Sequence, residues 1–313
     1  MGEKIKPCIC ITGPTACGKT ELALQLAEDF PVEIISMDSV MVYRGMDIGT
    51  AKPSSELRSI IKHHLIDIVE PIDAYSAGRF VRDAKESLSS IYSKGRVPLI
   101  VGGTLLYLKA LRDGLAQLPE RDSKIRQKLD QEAEVVGWPE MHRRLQIIDP
   151  DSAVRISSAD GQRIQRALEV YELTGETLSA LHKAQSSIQK TEINTIALVP
   201  ETREKLSNRI EKRFDVMVSN GFIEEVKALK ERGDLSLSTS SMRAVGYRQI
   251  WAFLDGEYIW KEARNKAIIA TRQLAKRQMT WLRSESKIKK LNGPDPYISE
   301  VVKAELNDYF NIV

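Results

Sequence analysis

Short apolar runs and longer stretches of helical period alternate through the first hundred residues. Cys8-Ile9-Cys10-Ile11-Thr12, Val32 to Ser36 and Val97 to Val101 have the length and β-branched character of strands covered on both faces. Between them, Lys19 to Asp29 and Ser76 to Tyr92 carry apolar residues at helical spacing, the second opened by a serine cap and closed before Gly95. This order predicts an α/β layer around a parallel sheet. Ligands of such sheets bind beyond the carboxyl ends of the strands, which singles out Gly13 to Thr20, Asp38-Ser39 and Gly102-Gly103-Thr104.

From about Pro119 to Gln189 the pattern changes to helices without intervening strands. Ile125, Leu129, Ala133 and Val136 share one helical face, and Ile164, Leu168 and Tyr171 share another before Gly175 stops it. An apolar run at Thr195 to Val199 predicts a return to the sheet, followed by long helices from Glu201 and a serine-rich loop, Ser236 to Ser241, that delivers Arg243. The expected organisation is therefore a discontinuous parallel-sheet core, 1–118 with 191–313, interrupted by a helical insertion at 119–190.

Composition narrows the class. The 313 residues, 42% of them hydrophobic, suffice for packed cores. The most apolar stretch, Leu99 to Leu108, is broken by glycines and falls short of the roughly 18 residues of a membrane span. With no basic-then-apolar leader, a soluble cytoplasmic protein without a membrane partner is expected, acting as a monomer. Cys8, Cys10 and Cys17 crowd into one segment and cannot form a disulfide framework; Cys8 and Cys10 are expected in the core. His63, His64, His142 and His182 lack the spacing of a zinc site and are expected as surface or packing residues.

The net charge of +3 hides an asymmetry, because Glu201 to Lys290 holds 20 Lys and Arg against 12 Asp and Glu. Within it, Arg264 to Lys290 is almost purely basic around Trp281 and reads as a basic C-terminal helix, suited to a polyphosphate chain; the competing reading is a solvated helix face.

The sharpest chemistry lies at Gly13-Pro14-Thr15-Ala16-Cys17-Gly18-Lys19-Thr20, which fits G-x-x-x-x-G-K-[ST] between a predicted strand and helix. In that P-loop pattern backbone N–H groups surround phosphate oxygens and the helix N-terminus adds partial positive charge. Lys19 supplies a point charge, and Thr20 a hydroxyl for a Mg²⁺ ion on the bound phosphates. The motif specifies phosphate or pyrophosphate, not ATP. P-loop hydrolases carry an acid at the end of a later strand; here Leu99-Ile100-Val101 runs into Gly102-Gly103-Thr104 instead. The nearest carboxylate is Asp38, a candidate general base whose alternative reading is a turn cap.

Seven segments in order resemble the bacterial tRNA dimethylallyltransferases over nearly the whole chain: the P-loop; Asp38-Ser39-Val40-Met41-Val42-Tyr43; Gly45 to Pro53; Gly102-Gly103-Thr104; Gln162-Arg163-Ile164-Gln165-Arg166; Arg243-Ala244-Val245-Gly246-Tyr247-Arg248; and Lys276-Arg277-Gln278-Met279-Thr280-Trp281-Leu282-Arg283. One departure is Cys17, where the family usually has serine; the exchange leaves an oxidisable thiol beside the phosphates. No zinc-finger extension of the eukaryotic kind is seen.

The resemblance implies transfer of a five-carbon dimethylallyl group from dimethylallyl diphosphate to N6 of the adenosine immediately 3′ of a tRNA anticodon. Diphosphate held by Gly13 to Thr20 then leaves, with Mg²⁺ on Thr20. It further implies Asp38 as base and Thr104 as the hydroxyl at the reacting end, and a target adenosine flipped into a channel of the core. The tRNA anticodon stem-loop would be contacted by Asp38 to Met41, Thr104, Arg126 and the segments 162–166, 243–248 and 276–283. A small-molecule kinase and a nonenzymatic RNA-binding module are the rival readings. The first does not need a basic C-terminal helix, and the second does not need Asp38 with Thr104 beside the phosphates.

Overall fold

The computed structural model describes residues 8–115, 118–184, 191–293 and 298–311. One six-stranded sheet runs β3-β2-β4-β1-β5-β6, with β1 Ile9–Thr12, β2 Val32–Ser36, β3 His63–His64, β4 Val97–Gly102, β5 Asn194–Pro200 and β6 Lys289–Gly293. All its pairings are parallel. Every residue of β1 and β2 is buried, as strands covered by helices on both faces require.

The two-residue period of the strands sorts their side chains into two cores. Ile9, Ile11, Val32, Ile34, Leu99, Ile196 and Leu198 face one layer, built from α1 (Lys19–Asp29) and the helices Arg203–Ser219, Phe222–Glu231 and Tyr247–Leu254. Cys8, Cys10, Ile35, Met37, Ile100 and Ala197 face the other, against Phe80, Ala84, Leu88 and Ile91 of the helix Ala77–Ser93. The serine cap of that helix is present, with Ser76 accepting from the Arg79 N–H at 3.2 Å. Burial pushes the Cys8 thiol up to about 12, and Cys10 rises for the same reason, so both are inert core groups.

Three features depart from expectation. The basic run is not one helix: the helix Trp260–Ser284 ends before Lys289 and Lys290, which lie exposed on the edge strand β6. His63 and His64 form a second edge strand, beside β2. The helical face drawn through Val136 ends short, because Val136 is exposed while Leu129 and Ala133 are buried.

The chain divides into two compact units, Met1–Arg112 with Thr191–Val313, and Asp113–Lys190. In the second, the helices Ser123–Val136, Trp138–Ile148, Pro150–Arg155 and Gly161–Thr174 enclose a core of Leu129, Met141, Leu145, Ile164 and Leu168. His142 packs there, its Nε2 at 2.8 Å from the Ile156 carbonyl. Among the described residues no helix is long and apolar enough to cross a membrane.

Candidate active site at the carboxyl edge of the sheet

β1 delivers the chain into Gly13, where a Cβ would stand 2.3 Å from the Leu198 carbonyl oxygen and where φ is +144°; only glycine allows β5 so close. Gly18, left-handed at φ 80°, starts α1 without any side-chain cap, so the first N–H groups of the helix remain open to an anion. Lys19 folds back and donates from Nζ to the Pro14 carbonyl at 2.8 Å. Burial holds its ammonium down at about 8. The exposed Thr20 lines the same pocket. Cys17 differs from expectation: its side chain is 1% exposed and belongs to the first core, and burial raises its pKa, so the thiol is shielded from the phosphate side.

The ends of β2 and β4 meet beside this loop. Asp38 Oδ1 accepts the Val40 and Met41 N–H groups at 2.8 and 3.2 Å, so Asp38 does cap a turn. That leaves Oδ2 without a hydrogen bond to another described residue. Thr104 Oγ1 accepts the Ser39 N–H at 3.1 Å and joins the two strand ends. A Cβ on Gly102 would lie 2.0 Å from the Met37 carbonyl oxygen, which explains a glycine where hydrolases place an acid: the backbone immediately after β2 occupies the space.

The P-loop, Asp38 and Thr104 border one cavity of about 530 Å³. Its remaining walls contain residues that sequence reasoning passed over. Arg213, on the helix Arg203–Ser219, reaches the cavity, and its pKa is lowered by burial and raised in part by Asp38. Lys19 and Arg213 therefore sit as two desolvated cations on one wall, an arrangement that an anion relieves. Phe214, Met217, Phe222 and Leu274 give the cavity an apolar side. Glu225 fixes the segment Gly45 to Pro53, accepting the N–H groups of Asp47, Ile48 and Gly49 at 2.8, 2.7 and 3.1 Å and the Tyr247 hydroxyl at 2.6 Å.

Not all proposed RNA contacts have free surface. Tyr247 and Leu282 in the first unit and Ile164 in the second are 0% exposed, and they hold their segments by packing. Met279 is half-buried against the second core. Gln165 is buried and donates to Asp130 at 2.6 Å. Arg126 and Arg166 both pair with the fully buried Glu169, at 3.1 and 2.7 Å. Burial alone would raise the Glu169 pKa, but Arg166, the Asp122 N–H and Arg126 hold it below the usual carboxylate range. In the basic helix, Arg264 and Arg272 are engaged by Glu211, Arg264 also by Asp215. Lys276, Arg277, Thr280 and Arg283 are exposed, as are Arg243, Arg248, Gln162 and Arg163. Ala244, Val245, Gly246, Arg277, Gln278 and Trp281 line the cavity.

A G-x-x-x-x-G-K-T loop between a strand and a helix of a parallel α/β sheet, next to a carboxylate and an apolar cavity wall, defines the class as a P-loop-type α/β protein. The sequence model of the IPP transferase family matches residues 41–285, beginning beyond the P-loop itself. A tRNA dimethylallyltransferase of Ralstonia pickettii is 52% identical over 304 residues, 94% of this chain and 93% of that protein. The full-length tRNA isopentenylpyrophosphate transferase of Bacillus halodurans superposes with a TM-score of 0.70 at 33% identity, covering 98% of this chain and 99% of that one. A eukaryotic dimethylallyltransferase described as acting on tRNA superposes with a TM-score of 0.82 at 27% identity, covering 98% and 80%. The chain belongs to the IPP transferase family.

Proposed function

We propose that the protein transfers the dimethylallyl group of dimethylallyl diphosphate to N6 of the adenosine 3′-adjacent to the anticodon of tRNA, releasing diphosphate. The observation that carries this reading is the convergence of P-loop, Asp38 and Thr104 on one cavity with an apolar wall. An exocyclic amine conjugated to a purine is a weak nucleophile, while an allylic carbon tolerates positive charge as its C–O bond breaks. The site must therefore stabilise the departing diphosphate and accept the N6 proton. The N–H groups at the start of α1, Lys19 and Arg213 meet the first need. Asp38 Oδ2 receives the proton, and Thr104 orients the reacting end. A stacked base cannot reach this cavity, so the adenosine enters flipped out of the anticodon loop.

The exposed hydroxyl of Thr20 beside the cations fits a Mg²⁺ ion that takes its other ligands from diphosphate and water, the usual manner for this ion. Mg²⁺ would neutralise charge on the leaving group. Among the described residues no cluster of three or more His, Cys, Asp or Glu could hold a metal without such a substrate.

Incubation with labelled dimethylallyl diphosphate, Mg²⁺ and unmodified tRNA should yield prenylated adenosine by nucleoside mass spectrometry. Turnover of ATP without RNA, and no prenylated nucleoside, would replace this reading by the kinase one. The RNA surface is expected at Lys276, Arg277, Arg283, Arg243 and Arg248, whose charges no acid among the described residues neutralises, and at the neutral Thr280 and Gln162 and the exposed Arg163. Lys276→Ala or Arg283→Ala should weaken binding of an anticodon stem-loop and reduce the slope of log affinity against log salt by about one each. Arg272→Ala, already paired with Glu211, should leave that slope nearly unchanged.

A further inference from the structure

Gln278 stands out among the residues of the basic helix because its side chain turns away from the helix's exposed charges. Its Nε2 donates to the Gly103 carbonyl at 2.8 Å, and its Oε1 accepts the Thr15 N–H at 3.1 Å. One planar amide thus bridges two loops that are far apart in sequence: the P-loop and the end of β4. The approach is close. A Cβ on Gly103 would lie 2.6 Å from Gln278 Nε2 and 3.2 Å from the Gly13 carbonyl oxygen, so glycine at 103 is what admits the amide.

Both loops lead directly to the reacting groups. Thr15 leads into Ala16 to Thr20, the stretch proposed to hold the diphosphate, and Gly103 precedes Thr104, whose Oγ1 accepts the Ser39 N–H next to Asp38. From Gln278 the connection runs one way to the leaving-group cradle and the other way to the proton-accepting side. An amide carries a donor and an acceptor in fixed geometry, so it sets the separation of the two halves as a single group could not. The residues on either side of it along the helix, Arg277 and Trp281, border the same cavity.

We infer that Gln278 is a positioning residue: its amide fixes the diphosphate loop against the Gly103-Thr104 side of the site, rather than contacting RNA. The inference deepens the proposed function and rests on it for the identity of the two substrates. Misplacement of reacting groups by about 1 Å can cost about 10²-fold in rate. A lost neutral hydrogen bond weakens an equilibrium by about threefold to tenfold.

The test uses Gln278→Ala and Gln278→Glu in the full chain. A protonated glutamic acid copies the amide, donating to Gly103 and accepting from Thr15, whereas the carboxylate cannot donate and repels the carbonyl. Gln278→Ala should lower the single-turnover rate by about tenfold to 10²-fold at saturating substrates. It should weaken inorganic pyrophosphate binding by about threefold to tenfold, and leave anticodon stem-loop affinity and its salt slope unchanged. The ratio of Gln278→Glu to wild type, in rate and in pyrophosphate affinity, should rise as pH falls from about pH 7 to about pH 4.5, toward the ordinary glutamate pKa of about 4.3 that partial burial and the facing Gly103 carbonyl raise, while the Gln278→Ala ratio stays flat. A flat Gln278→Glu ratio, or a loss confined to RNA affinity, overturns the inference. If the wild type transfers no dimethylallyl group, the proposed function fails, and the pyrophosphate titrations alone still decide the role of Gln278.

Discussion

Asp38→Asn is expected to bind both substrates and to lose about 10²- to 10⁴-fold in single-turnover rate, the usual worth of a general base. The amide oxygen can still accept the Val40 and Met41 N–H groups that Oδ1 accepts now, so the turn that carries the residue survives. What is removed is the proton acceptor at the second oxygen. Burst measurements with preformed enzyme–tRNA complex separate binding from chemistry. If the variant instead binds tRNA poorly and reacts normally once bound, Asp38 is a turn cap that shapes the RNA site and nothing more.

Lys19→Met should have two opposite effects. Diphosphate affinity and transfer should fall, by about 10² to 10³ in rate, the scale for removing one preorganised charge-stabilising donor. The unliganded protein should become more stable at pH 7. Burial lowers the Lys19 pKa to about 8, well below its unfolded value near 10.4, so the folded state disfavours the charged form. The penalty is fully present below pH 8 and disappears as pH rises through 10.4, so the stability gained by the variant should shrink over that window. Thermal unfolding at pH 7 and above pH 9, beside a pyrophosphate titration, reads both effects. Unchanged pyrophosphate affinity would remove Lys19 from the site.

The paired behaviour follows from the proposed role of the cavity as an anion site. Lys19 and Arg213 are both partly buried beside the cavity, and the Asp38 carboxylate is near enough to favour the charged form of each. An empty anion site built this way carries a cost that its ligand removes, and stability gained by deleting a cation is activity lost.

The sequence by itself determined the central strands, the helix after the P-loop and the three strand ends that border the cavity. The reason is physical. A strand buried on both faces must be apolar along its length, and a phosphate loop needs its glycines, lysine and hydroxyl at fixed local spacing, so both leave a continuous signature. Tertiary structure decided the rest. The edge strands β3 and β6, written in histidines and lysines, exist because a neighbour supplies their hydrogen bonds. The neutralisation of Arg126 and Arg166 depends on Glu169, and that of Arg264 and Arg272 on acids of another helix. Arg213 reaches the cavity, Glu225 fixes the Asp47 to Gly49 backbone, and Gln278 bridges Thr15 and Gly103, all across separations no local pattern encodes. A charge or amide in sequence states what a residue can bond to; which partner it meets, and so whether it packs, pairs or waits for a substrate, is set only when distant segments are brought together.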